Sequence, residues 1–282
     1  MKILIVGHKG MLGSELMKVF GGHHEVEGMD VDELDITSLP KCLDAVSDIA
    51  PHTVINAAAY TDVEGSEHNY AQCHAINGDG VRNLAVACKK FNLPMVHFST
   101  DYVFDGTKGA PYGEEDTCMP INAYGRSKLE GERHLREELP DTHILVRTSW
   151  LFGKSGKNFV RSIIEKAKLQ GELHVVSDQV GSPTYAKDLA NAVKVLIDED
   201  HRGTFHVTNR GYCSWYDYAC KIIDYAGMKG IAVIPVASAE YRTAAVRPAY
   251  SILSSRKFME VTHKTMRFWQ VALSEYIEET YF

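Results

Sequence analysis

Tyr124 and Lys128 lie four residues apart in Pro120-Ile121-Asn122-Ala123-Tyr124-Gly125-Arg126-Ser127-Lys128. On a helix that spacing projects both side chains from one face. A phenol ordinarily titrates near pH 10, and a nearby lysine cation favours its ionised form, so the pair suits proton exchange with a substrate oxygen. The spacing alone also fits a buried tyrosine and a solvated lysine on an amphipathic helix. Ser99-Thr100-Asp101 adds a second element, since it puts hydroxyls at the end of an apolar strand. Thr100 there can hydrogen-bond and orient a carbonyl oxygen, with Asp101 beside it as a further substrate contact.

A third group of residues binds rather than reacts. Gly7-His8-Lys9-Gly10-Met11-Leu12-Gly13 joins a first apolar strand to a helix. Gly7, Gly10 and Gly13 permit a tight turn and close approach to a pyrophosphate, which the helix N-terminus then faces. Asp30, at the end of the next strand, has the spacing of an acidic residue that meets the adenosine ribose hydroxyls, which favours NADH. Asp32, Glu33 and Asp35 stand close by, and Lys9 is a cation available to a 2′-phosphate, so NADPH stays open. Asn56-Ala57-Ala58-Ala59-Tyr60-Thr61 supplies small side chains at a further strand end, where a flat cofactor needs clearance. With a nicotinamide there, Lys128 would also hydrogen-bond its ribose.

The elements that must position these groups alternate. Strands are expected at 2–7, 25–30, 53–56, 95–99 and 143–147, with helices between them, including 70–91 and 123–138. This predicts an α/β fold, a Rossmann-like doubly wound parallel sheet with helices on both faces. After Trp150 the pattern loosens, with helices at 158–170 and 187–198 and a loop-like stretch at 176–184. The expected division is residues 1–150 as the dinucleotide-binding domain and 151–282 as mainly a smaller C-terminal substrate-binding lobe, with some segments returning to the sheet.

Composition narrows the function. The 282 residues are 45% hydrophobic and 24% charged, enough for a large core. A formal net charge of -7 offers no broad basic surface, so nucleic acid is not an expected partner. No basic leader precedes the first strand and no apolar run is long enough for a bilayer, so a cytoplasmic protein without membrane attachment is expected. The six cysteines show no CxxC pair and the histidines no metal-ligand spacing, so neither disulfides nor a metal site is expected.

Glycine loop, strand-end hydroxyl and Tyr-Lys helix come in the order found in the extended short-chain dehydrogenase/reductase family. The strings Asn56-Ala57-Ala58-Ala59-Tyr60-Thr61, Ser99-Thr100-Asp101-Tyr102-Val103-Phe104-Asp105-Gly106, Arg147-Thr148-Ser149-Trp150 and Gly181-Ser182-Pro183-Thr184 resemble, more narrowly, its dTDP-4-dehydrorhamnose reductases. The likeness spans most of the chain. It implies NADPH- or NADH-dependent reduction of a nucleotide-linked 4-keto-6-deoxyhexose, yielding dTDP-L-rhamnose for cell-surface polysaccharide. It further implies that Tyr124 protonates the C4 oxygen, Thr100 binds it, and Lys128 tunes Tyr124. Gly10, Met11, Leu12, Asp30, Asp35, Ile36, Ala59, Tyr60 and Thr61 would meet the cofactor. Trp150 fits the sugar pocket and a core aromatic equally, and Arg247 fits both a diphosphate ligand and an ordinary surface arginine. Similar enzymes can hold a divalent metal between subunits through acidic residues. Glu15 suits that role, but Lys187 beside Asp188 opposes a cation, so neither the metal nor that mode of dimer is expected; a homodimer as such stays open. Relatives also include epimerases and a non-catalytic regulatory subunit of methionine adenosyltransferase; retention of Thr100, Tyr124 and Lys128 argues against the regulatory subunit, and net consumption of reduced cofactor separates a reductase from both.

Overall fold

The computed structural model describes every residue except Arg242. The chain begins with β1 (Lys2–Val6), α1 (Met11–Gly21), β2 (Glu25–Met29), α2 (Leu39–Ile49) and β3 (Thr53–Asn56). It continues through α3 (Val63–His68), α4 (Tyr70–His74), α5 (Gly80–Lys90), β4 (Met95–Thr100), α6 (Ala123–Glu138) and β5 (His143–Thr148). The second half holds β6 (Leu151–Phe152), α7 (Phe159–Leu169), β7 (Glu172–Val176), β8 (Val180–Gly181), β9 (Thr184–Tyr185) and α8 (Ala186–Asp198). Then come β10 (Gly203–His206), β11 (Cys213–Ser214), α9 (Trp215–Tyr225), β12 (Ala232–Val236), α10 (Arg256–Thr262) and α11 (Trp269–Tyr281).

Six strands form one parallel sheet in the order β10-β5-β4-β3-β1-β2. β3, β4 and β5 are buried along their whole length, as parallel strands covered on both faces must be, which is why they read as apolar runs. One face packs against α1 and α8 through Ile5, Leu16, Phe20, Val96, Val146, Leu189 and Val193. The other packs against α2 and α5 through Leu4, Val54, Leu84, Cys88 and Leu145. A separate core under α7, α9 and α11 gathers Phe152, Ile163, Tyr218, Leu273 and Tyr276. Strand order reverses between β1 and β3, so their carboxyl ends open the crevice in which such sheets bind ligands.

Three local expectations change. The helix expected over 70–91 is interrupted by a π turn at Ala75–Asp79, because Asn77 is turned inward to bond both Tyr60 and Ser127. The stretch 176–184 is not all loop, since β8 pairs with β11 and β9 with β6. The third change is one of detail: segments of the second half are expected to return to the sheet, and the one that does so as a strand is β10, beside β5, where Thr204 and Phe205 pair with Leu145 and Val146. Among the described residues no helix is long and apolar enough to cross a membrane.

Candidate active site

The turn after β1 needs Gly7 at φ +82°, a left-handed conformation that a side chain disfavours; a Cβ there would also lie 2.6 Å from Ala58 N. Gly13 lets α1 press onto this turn, for its Cβ would meet the Gly7 carbonyl at 2.0 Å. Gly10 is the N-cap of α1, and neither a capping side chain nor an acidic residue occupies the first turn. The N–H groups of Met11 and Leu12 therefore begin the helix where an anion is favoured, so the loop fits a dinucleotide diphosphate. Gly153 and Ser155 close over it from the second half: Gly153 packs on Met11, and Ser14 Oγ donates to Ser155 Oγ at 3.1 Å.

At the end of β2, Asp30 Oδ2 accepts the Lys9 backbone N–H at 3.0 Å. Lys9 Nζ reaches Asp32 at 3.1 Å and Glu33 at 3.0 Å, so the cation considered for a 2′-phosphate is held by carboxylates. Asp35 closes a local turn onto Thr37, whose N–H and hydroxyl hold its carboxyl below the usual range, while Ile36 is buried against Gly80. Ala59, Tyr60 and Thr61 follow β3, with Tyr60 tied at both backbone groups to the Asn77 carboxamide.

The strand-end hydroxyl and the helix meet as the spacing requires. Thr100 ends β4; its Oγ1 donates to Asp101 Oδ1 at 3.0 Å and accepts the Tyr102 N–H at 3.2 Å. Asn122 caps α6 by accepting the Gly125 N–H at 2.7 Å. A Cβ on Gly125 would strike the Tyr102 carbonyl at 2.1 Å, so this glycine lets α6 begin against the strand end. Tyr124 is half-buried and meets the Tyr102 ring edge-on at 6.1 Å.

The electrostatics depart from the expectation of a lysine-lowered phenol. Burial first, then the Asp101 carboxyl and Tyr102, push Tyr124 above its ordinary value, while Thr100 works the other way. Lys128 is 3% exposed and its amine faces His97 Nε2 at 3.3 Å. Burial pulls Lys128 down to about 8, against the raising effect of Glu132 and Cys73. Burial likewise raises Asp101 to about 7, with hydrogen bonds from its surroundings opposing the shift.

Trp150, just after β5, has φ +47°, uncommon for a bulky residue. Its indole stacks on Trp215 with centroids 3.4 Å apart and planes 7° from parallel, and Gly181 lies beneath it, where a Cβ would be 2.4 Å from the ring. A cleft of about 1010 Å³ is lined by Thr61, Tyr102, Phe159, Trp215 and Arg247. Tyr124 and Lys128 are outside its walls; it adjoins Tyr124 through Tyr102. Arg247 lies 2.6 Å from Glu64 of α3, and Glu64 also accepts the Ala244 N–H at 2.7 Å. Trp215, Glu64 and His97 were not singled out from sequence. Ser214 and Asp217 form a capping box, a signal that would have put Trp215 on the first turn of a helix.

The acidic residues considered for a metal do not fit one. Glu15 pairs with Lys18 at 2.8 Å, Asp188 takes Arg267 at 2.8 and 2.9 Å, and Lys187 bridges Glu275 and Glu279 at 2.6 and 3.0 Å. Each of these carboxylates already faces a cation.

A parallel sheet with a glycine loop, a strand-end threonine and a Tyr-Lys helix at its carboxyl edge defines a nicotinamide-dependent oxidoreductase of the short-chain type. The chain belongs to the family described as RmlD substrate binding domain, whose family model matches residues 1–282. It is 39% identical to a dTDP-4-dehydrorhamnose reductase of Aggregatibacter actinomycetemcomitans, covering 96% of this chain and 97% of that one. It is 37% identical to a dTDP-4-keto-6-deoxy-D-glucose reductase of Streptomyces niveus, over 96% and 95%. The solved dTDP-4-dehydrorhamnose reductase of Bacillus anthracis in complex with NADP superposes with a TM-score of 0.96 at 39% identity, covering 99% of each chain. A UDP-glucose 4-epimerase of Thermus thermophilus, at 18% identity and a TM-score of 0.86, shares the fold.

Proposed function

We propose that the chain reduces the C4 keto group of dTDP-4-dehydro-L-rhamnose to dTDP-L-rhamnose, a precursor of cell-surface polysaccharide, using NADPH or NADH in the cytoplasm. The observation that carries this reading is the hydrogen bond between Thr100 and Tyr124 at the carboxyl edge of the sheet, with Lys128 one turn further along the Tyr124 helix, in a chain whose relatives bear that reductase name over nearly their full length. A bound nicotinamide supplies the hydride. Tyr124 gives its proton to the C4 oxygen, and its resistance to ionisation keeps that proton in place until charge develops there. Thr100 hydrogen-bonds the same oxygen. With Asp101 protonated, the Thr100–Asp101 bond can reverse direction and leave the threonine hydroxyl free to donate to substrate. Lys128 would hydrogen-bond the ribose of a bound cofactor.

Gly7, Gly10, Met11, Leu12 and Gly13 would hold the diphosphate, with Asp30, Asp35, Ile36, Ala59, Tyr60 and Thr61 around the remainder of the cofactor. Trp150 and its partner Trp215 would wall the sugar site, and Arg247 would exchange Glu64 for the sugar-nucleotide diphosphate. Residues 1–150 then serve mainly as the cofactor domain and 151–282 as the substrate lobe. The test follows absorbance at about 340 nm, where reduced nicotinamide absorbs, with dTDP-4-dehydro-L-rhamnose and each cofactor in turn, and identifies the product. Stoichiometric oxidation with dTDP-L-rhamnose formed is expected. Cofactor binding without consumption would favour the regulatory-subunit reading, and interconversion without net oxidation an epimerase.

A further inference from the structure

Lys128 is buried without an ion pair among the described residues, and the polar atom facing its amine is His97 Nε2 at 3.3 Å. His97 lies on β4 and is fully buried. Its Nδ1 is 3.2 Å from Asn56 Nδ2, and Asn56 Oδ1 accepts the Ala58 N–H at 3.0 Å.

These contacts have a direction that hydrogen-bond chemistry fixes. A backbone N–H only donates, so the atom that faces Ala58 is the carboxamide oxygen of Asn56. The Asn56 NH2 then faces His97 and can only donate, so Nδ1 must accept. An uncharged ring with a bare Nδ1 carries its proton on Nε2, and that proton points at Lys128 Nζ. An amine can accept it; an ammonium cannot. Burial holds the ring uncharged, and whenever Lys128 carries its proton that charge acts in the same direction. The Asn56 main-chain carbonyl pulls the other way, but the carboxamide, anchored by Ala58, is the group bonded to Nδ1.

We propose that His97, its tautomer set by Asn56 and Ala58, is a positioning residue that donates Nε2–H to Lys128 and favours the amine over the ammonium. The proposal rests on the reading that Lys128 serves Tyr124. The other titratable groups facing Lys128 are Glu132, one turn along α6, and Cys73 on α4; both favour the ammonium, and Glu132 is itself held by Arg147 and Arg136. A lysine that releases its proton near neutrality is a better donor for restoring the phenol of Tyr124 between turnovers than one of ordinary basicity.

Two measurements test this. In the full chain labelled with 15N-histidine, the His97 ring, assigned through its backbone resonances, is expected as the Nε2–H tautomer and unchanged between about pH 5 and about 8, the range in which a free histidine loses its charge. An Nδ1–H ring or an imidazolium overturns the proposal. His97→Phe keeps a ring but removes the donor, so the alkaline fall in kcat is expected to move up by about half to one pH unit while KM changes little. A downward or absent shift means that His97 was accepting from the ammonium or not coupled to it, and overturns the proposal as well. Lys128→Met separates the two readings: surviving turnover would defeat the role of Lys128, whereas the tautomer is read without turnover.

Discussion

Tyr124 has Asp101 and Tyr102 as close electrostatic neighbours, and both oppose its ionisation. Removing its hydroxyl in Tyr124→Phe should lower kcat by about 100-fold or more with cofactor affinity unchanged, since the phenol acts on substrate oxygen; wild-type turnover would remove it from the mechanism. Asp101 gives a pH prediction. Its native value near 7 lies above its unfolded value near 4, so the folded state binds the extra proton between those limits. Its contribution to stability is present at low pH and is lost as pH rises from about 4 to about 7. Asp101→Asn should therefore melt several degrees above the parent chain at about pH 8, a margin that narrows towards pH 5. A melting series with the opposite trend would contradict the buried charge. At this scale Tyr124 and Lys128 were legible because a four-residue interval on a helix is a local fact. His97 was not, because its importance comes from Asn56 on one neighbouring element and Lys128 on another.

The first β-turn-α element tests how much of cofactor binding is packing. Gly13→Ala puts a methyl 2.0 Å from the Gly7 carbonyl, whereas Gly10→Ala puts one at 3.2 Å from the same atom. The first should weaken NADPH binding and lower stability by about 1–3 kcal/mol or more, as overpacking does. The second should weaken binding with a much smaller change in melting temperature, because Gly10 lies at the helix N-terminus where the diphosphate is expected. Equal stability losses in the two variants would refute the distinction. The alternation of strands and helices through residue 148 could be read from apolar runs and turn residues. The π turn at Ala75–Asp79 could not, since it exists to aim Asn77 at two distant partners and leaves the helical pattern intact. Trp150 illustrates the same limit: its positive φ comes with an indole packed between Trp215 and Gly181, which are remote in sequence.

Across the whole molecule, side-chain cations take the acidic positions at which a metal was considered. A chelator is accordingly expected to leave turnover and melting temperature unchanged; a loss restored by a divalent ion would show that the pairs of Glu15, Asp188 and Lys187 open to admit one. Arg147, buried to 1% exposure, is neutralised by Glu132 at 2.6 and 2.9 Å, and its Nη1, which also donates to the Glu114 carbonyl, reaches His206 of β10, 59 residues further along the chain. For a chain emerging from a ribosome this sets an order of events. Until β10 is synthesised, the half-built sheet carries β5 as a bare edge and a guanidinium short of one partner. Such an edge invites pairing with other nascent chains. The last strand of the sheet is thus a seal fitted late, and residue 150 is a poor place to cut the gene if a self-contained cofactor module is wanted.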